Sequence, residues 1–120
     1  MNAKRKEAEE LIYKVLEKAE HGTINSDYYK KLFANMSDEV RDFHFDVNIK
    51  GTWNMTKAVV PYMIQKNYGK IINLSSVTGP MVADSGEVAY ATTKAALLGF
   101  TKSLAMELVT DNITVNAIMP

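Results

Sequence analysis

The chain has 120 residues and as many acidic as basic side chains, so its formal net charge is zero. That is the size of one small domain, with no electrostatic case for nucleic acid or an acidic surface as partner. There is no cysteine, which excludes disulfides and thiol chemistry. No apolar run is long enough to span a bilayer and the charged start is not a secretory signal, so a cytoplasmic chain without a membrane partner is expected.

The first predicted element is an amphipathic helix over 3–21. Ala8, Leu11, Ile12, Val15, Leu16 and Ala19 recur at three- and four-residue steps, and Glu10 and Lys14 are spaced to support each other on the exposed face. Gly22 is its stop. The Lys4-Arg5-Lys6 cluster is followed at once by acidic residues and reads as a solvated helix face. TINSDYYKKLFANM predicts a short helix over 26–35, capped near Ser26 or Asp27, with Tyr29, Leu32, Phe33 and Met36 inward. Ser37 caps the next predicted helix, 37–66. These residues divide the chain into a helical segment, 1–36, and a second unit, 37–120. The join suggests a chimera, a rearranged reading frame or a truncated gene with a foreign start.

KIINLSSVTG reads as a buried strand near 70–76, because Ile71, Ile72 and Leu74 do not simply alternate with polar residues. YATTKAALLGFTKSLAMEL predicts a helix over 88–110, and NITVNAIMP a strand near 112–118 in which Ile113, Val115 and Ala117 alternate. Strand, loop, helix and strand make a βαβ unit with parallel neighbouring strands. Gly79, Pro80 and Gly86 shape its first loop. Ala91, Ala95, Gly99 and Ser103 repeat every four residues along one helix face, which suits either packing against the sheet or a subunit interface. Met55, Met63, Met81, Met106 and Met119 read as core filling. His21 and His44 are far apart without ligand-like neighbours, so no metal is expected.

Tyr90 and Lys94 are four residues apart and so share a helix face, and Ser76 lies 14 residues before the tyrosine. A free phenol, with a pKa of about 10, is a poor proton shuttle at neutral pH. A cation beside it favours the phenolate and makes it a usable general acid or base. Ser76, at the carboxyl end of a strand, can hold a carbonyl or hydroxyl oxygen beside it, where open α/β sheets place their ligands. Tyr62 and Lys66 repeat the spacing but have no serine at the matching offset. Asn48 stands upstream, and its plain alternative is a buried polar residue satisfying backbone. Ser75 reads as structural.

The segments FDVNIKGTWNMTKAVVPYM, GKIINLSSVTG, YATTKAALLGFTKSLAMEL and ITVNAIMP occur in order, and together they resemble the central part of a short-chain dehydrogenase/reductase over residues 37–120. The resemblance implies an α/β fold: an incomplete, doubly wound Rossmann-type unit, helix–strand–helix–strand with parallel strands, behind the helical segment. It implies an oxidoreductase interconverting an alcohol and a carbonyl with NAD or NADP. Tyr90 would then be the acid/base, Lys94 its tuning cation and ribose contact, Ser76 the substrate-orienting hydroxyl and Asn48 the proton-relay asparagine. Tyr90, Lys94 and Pro120 would lie against the cofactor. The loop between Ser76 and Tyr90 is one residue longer than in many members. The chain lacks the Gly-x-x-x-Gly-x-Gly turn, the Asn-Asn-Ala-Gly segment and the residue that reads the adenosine ribose, and the match stops at Pro120. The chain alone is therefore expected to be inactive and to bind the cofactor poorly. The competing reading is a non-catalytic chain that associates through its helices at 47–66 and 88–110, as a homo-oligomer or with a relative.

Overall fold

The computed structural model describes residues 3–20 and 33–120. The predicted caps at Ser26 or Asp27, the stop at Gly22, the start of the 26–35 helix, and the side chains of Val15, Leu16 and Ala19 fall outside the description. Helix α1, Ala3–Glu20, has Ala8 buried and Leu11 half-buried, but Ile12 is exposed. Arg5 pairs with Glu9 at 3.2 Å, one turn before the predicted Glu10–Lys14 pair. Phe33 is exposed, and the expectation that it turns inward is corrected; Met36 is half-buried.

Helix α2, Asp38–Phe45, begins as its sequence requires. Ser37 has extended backbone, its Oγ accepts the Val40 N–H at 3.2 Å, and Asp38 and Glu39 occupy the first turn, where the helix dipole favours negative charge. Val40 is buried, and the Ser37 hydroxyl donates to Glu7 of α1. From α2 the chain runs through one π-helical turn, Asp46–Lys50, into α3, Gly51–Lys66, with helical backbone at every junction. The single helix predicted over 37–66 is thus one rod with a widened turn inside it. Such a turn leaves backbone carbonyls short of their usual partners, and at Asn48 the Thr52 hydroxyl donates to the carbonyl at 3.0 Å.

Helix α3 ends in a left-handed asparagine, Asn67 (φ 52°), with Tyr68 N–H on the Met63 carbonyl and Asn67 N–H on that of Ile64. Strand β1, Gly69–Leu74, follows. Helix α4, Val88–Leu108, and a 3-10 turn, Val109–Asp111, end in the same way at Asn112 (φ 57°), and strand β2, Ile113–Ile118, follows. The two left-handed asparagines lie side by side: Asn112 Nδ2 donates to the Asn67 carbonyl at 3.2 Å, and Gly69 N–H to the Asn112 carbonyl at 3.3 Å. Both strands therefore start level. They pair in parallel from Gly69↔Ile113 to Leu74↔Ile118, as the βαβ pattern predicts.

Leu108, Ile113 and Val115 are buried together, and Val60, Met63, Ile71, Leu104 and Ala105 pack on them, so the core lies between α3, α4 and one sheet face. The other face is bare: Ile72 is 62% exposed, Leu74 63% and Ile118 49%. The run that reads as a buried strand is therefore covered on one side only, because among the described residues helices pack on one face of the sheet alone. The methionines are also corrected. Met63 joins the core, while Met55, Met81, Met106 and Met119 are exposed. The inward stripe of α4 is Ala89, Thr93, Leu97 and Thr101. The small-residue stripe does not pack on the sheet: Ala95, Gly99 and Ser103 are exposed.

Inside this layer the Asn73 amide donates to the Thr101 hydroxyl at 3.0 Å, which itself donates to the Leu97 carbonyl at 2.8 Å, all of it buried. Thr101→Val would strand the Asn73 amide away from water and is expected to cost about 1–3 kcal/mol in urea unfolding. Thr114→Val, at an exposed strand position, is expected to stay within about 0.5 kcal/mol of the parent.

Candidate functional site

The end of β1 holds Lys94 twice. The Ser75 hydroxyl donates to the Lys94 backbone carbonyl at 2.7 Å, and the Lys94 Nζ donates to the Leu74 carbonyl at 3.0 Å. Ser75, read from the sequence as structural, is the backbone anchor of this lysine. The extended side chain leaves its ammonium 5.7 Å from the centroid of the Tyr90 ring. An ammonium offers three hydrogens, so two remain after the Leu74 bond. Tyr90 is half-buried in the first turn of α4.

Ser76 is buried beside Ser75. Its Oγ accepts the Thr78 N–H at 3.1 Å. A hydroxyl that accepts in this way keeps its own hydrogen to give. The loop from Ser76 to Glu87 folds back on itself, with Gly79 N–H on the Val82 carbonyl at 2.8 Å and Val82 N–H on the Val77 carbonyl at 3.0 Å. It then lies directly on α4. Gly79 has φ +106°, and a Cβ there would collide with the Ala91 carbonyl, next to Tyr90. Only glycine satisfies both the positive φ and the close approach.

Asn48 comes to the site from the other side. It sits inside the π-helical turn, and its Nδ2 donates to the Thr93 Oγ1 at 3.0 Å. Thr93 in turn donates to the Tyr90 carbonyl at 2.8 Å. Pro120, just beyond β2, accepts the Val77 N–H through its carbonyl at 3.4 Å. The structure thus joins Lys94 with Tyr90 directly and Asn48 with Tyr90 through Thr93. Among the described residues, neither Ser76 nor Pro120 hydrogen-bonds to Tyr90 or Lys94; they share the strand end and its loop. Tyr62, with the same sequence spacing, is 69% exposed on α3. His44 is half-buried, and its Nδ1 bonds the Val40 carbonyl at 2.9 Å.

Sequence reasoning missed Thr93, the most deeply buried side chain in the described residues. The usable signal was its eight-residue spacing from Thr101, which puts two small hydroxyls on one face of α4. Each meets an asparagine amide.

No helix among the described residues is long and apolar enough to cross a membrane. The family model described as short chain dehydrogenase matches residues 22–120. Oxidoreductase UcpA of Escherichia coli (strain K12) is 62% identical over 88 residues, 73% of this chain and 34% of the relative. A gluconate 5-dehydrogenase from Burkholderia cenocepacia, solved with NADP and tartrate, superposes with a TM-score of 0.71 at 30% identity, over 73% of this chain and 34% of the other. A 3-oxoacyl-[acyl-carrier protein] reductase from Brucella melitensis, solved with NAD, gives 0.68 at 41% identity, over 72% and 33%. The chain spans about a third of the length of these proteins. With the parallel βαβ unit, the Tyr90–Lys94 pair and these matches together, the chain belongs to the short-chain dehydrogenase family.

Proposed function

We propose that this chain carries the proton-transfer part of an NAD(P)-dependent oxidoreductase that interconverts an alcohol and a carbonyl, on residues 37–120. The observation that supports it is the Lys94 ammonium, tied to the end of β1 and 5.7 Å from the Tyr90 ring. In this reading Tyr90 gives its phenolic proton to the developing alkoxide, or takes the alcohol's proton in reverse. Ser76 donates its free O–H to the same substrate oxygen. Lys94 supplies a positive charge beside the ring, 5.7 Å from its centroid, and its two uncommitted hydrogens suit ribose hydroxyls. The dinucleotide, when bound, supplies or accepts the hydride. Asn48 closes the proton path on the side away from substrate.

The residues present fit only one end of that cofactor. Lys94, Tyr90 and Pro120 would meet the nicotinamide and its ribose. Among the described residues the glycines of positive φ, Gly79 and Gly86, are both in the loop between β1 and α4, and the sequence has no glycine-rich turn to bring backbone N–H groups to a pyrophosphate. NADH or NADPH titrated into the chain is therefore expected to show weak binding or none by calorimetry. Micromolar affinity would mean that residues 1–36 build a substitute cradle.

With the cofactor-binding half supplied by fusion or as a separate segment, turnover of an alcohol or carbonyl substrate is expected. Tyr90→Phe removes the phenolic hydroxyl and is expected to lower kcat by about 10²–10⁴-fold. Tyr62→Phe is expected to leave the rate within a few-fold. Equal losses from the two would overturn the assignment of Tyr90.

A second reading, association through helices, has its own observation. A cavity of about 620 Å³ lies between α3 and α4, lined by Trp53, Val60, Leu97, Phe100 and Leu104 among others. Trp53 meets Phe100 at 5.5 Å between centroids, with the rings tilted by 43°, yet is 56% exposed. Exposed aromatic surface of this kind is characteristic of interface cores. Gly99 has no atom within 4 Å of where a Cβ would stand, so its face has room for a second copy of the chain. A dimer is expected by sedimentation equilibrium, and Gly99→Leu is expected to shift it to monomer. A folded monomer at high concentration of the unsubstituted chain would reject the interface.

A further inference from the structure

Thr93 is completely buried, and its hydroxyl has one hydrogen. That hydrogen is committed: Oγ1 donates to the Tyr90 backbone carbonyl at 2.8 Å, and a carbonyl can only accept. Toward Asn48 the same oxygen can therefore only accept. The Asn48 amide, 3.0 Å away, must present its NH₂ end. With the amide flipped, the Thr93 hydrogen would have to turn to Asn48 Oδ1 and leave the Tyr90 carbonyl, so the hydroxyl would make one hydrogen bond in place of two. With the donor end held, Oδ1 is the end left over. Asn48 is half-buried, and its Oδ1 has no partner among the described residues, which leaves it as an open acceptor. The backbone at Asn48 is fixed too, by Thr52 Oγ1 on its carbonyl at 3.0 Å.

We propose that Thr93 is a positioning residue: it sets the orientation of the Asn48 amide, so that the end Asn48 leaves open is the acceptor oxygen and not the donor. The significance of that acceptor rests on the proton-transfer role given above to Tyr90 and Asn48. The orientation itself does not, and can be read separately. The Tyr90 carbonyl is the reference point of the arrangement, so the direction of the Asn48 amide is registered to the same turn of α4 that carries the phenol. A hydroxyl serving only to fill the core would not need to match a donor on the π-helical turn, 45 residues away in sequence.

The experiment is proton–nitrogen NMR on the whole chain, reading the Asn48 side-chain amide pair. In the unsubstituted chain one Hδ2 is expected to be protected from exchange and to show a cross-relaxation peak to the Thr93 methyl. Thr93→Val keeps the shape and removes the hydroxyl. It is expected to speed exchange of the Asn48 pair by about tenfold, the equivalent of one lost hydrogen bond, and to release the fixed orientation. Thr93→Ser keeps the hydroxyl and is expected to restore the protected pair. Should the valine variant not fold, the unsubstituted chain and the serine variant still decide. An unprotected Asn48 pair without the Thr93 peak overturns the proposal, as does an unchanged pair in a folded Thr93→Val chain. Absence of Tyr90-dependent turnover in the assembled enzyme would instead defeat the catalytic reading and leave the amide orientation standing.

Discussion

Lys94 is fixed at two points by the same strand. Its carbonyl takes the Ser75 hydroxyl and its ammonium reaches the Leu74 carbonyl, so main chain and side chain are both registered to the last residues of β1. One turn earlier on α4, Tyr90 inherits that registration. A long lysine side chain normally samples many rotamers, and holding it in one costs side-chain entropy. The hydrogen bond from its ammonium to a strand whose register is fixed by the paired left-handed asparagines offsets that cost. The electrostatic relation between ammonium and phenol therefore follows from sheet register, and not from helix spacing alone. Tyr62 and Lys66 have the spacing without the strand.

The architecture was legible where periodicity was strong. The alternation of Ile113, Val115 and Ala117 marked a strand with one covered face, and Ile113 and Val115 are buried as that pattern demands. The run Ile71, Ile72 and Leu74 misled, because continuous apolarity signals two covered faces and only one is covered here. Phe33 and the methionines misled for a related reason. Apolar character shows what a side chain would gain by burial, not whether this chain supplies a neighbour to bury it.

At the site, residues placed by local spacing were readable, and contacts across the fold were not. Ser37 as a cap and the Tyr90–Lys94 pair depend on three or four residues of sequence. The Asn48–Thr93 and Asn73–Thr101 bonds link positions 45 and 28 residues apart. They depend on how a helix lies against a strand and against a wide turn, which no local pattern encodes. The stripe Ala91, Ala95, Gly99 and Ser103 drew attention by its small residues. The inward stripe on the same helix carries two threonines and looks ordinary in sequence.

The wide turn at Asp46–Lys50 works as a phase shifter. One residue of α-helix corresponds to about 100° of rotation, so a single extra residue in a turn uncouples the directions faced by the helix before it and the helix after it. Here α2 turns Val40 into a buried position, while α3 turns Val60 and Met63 onto the core beside the sheet. The same turn carries Asn48, whose amide meets Thr93. A mutation that shortened this turn by one residue would act as a torsional defect, setting the two ends of the rod against each other. Whichever end kept its contacts, the seam between them would have to give, and that seam is where the Asn48 amide meets Thr93 of α4.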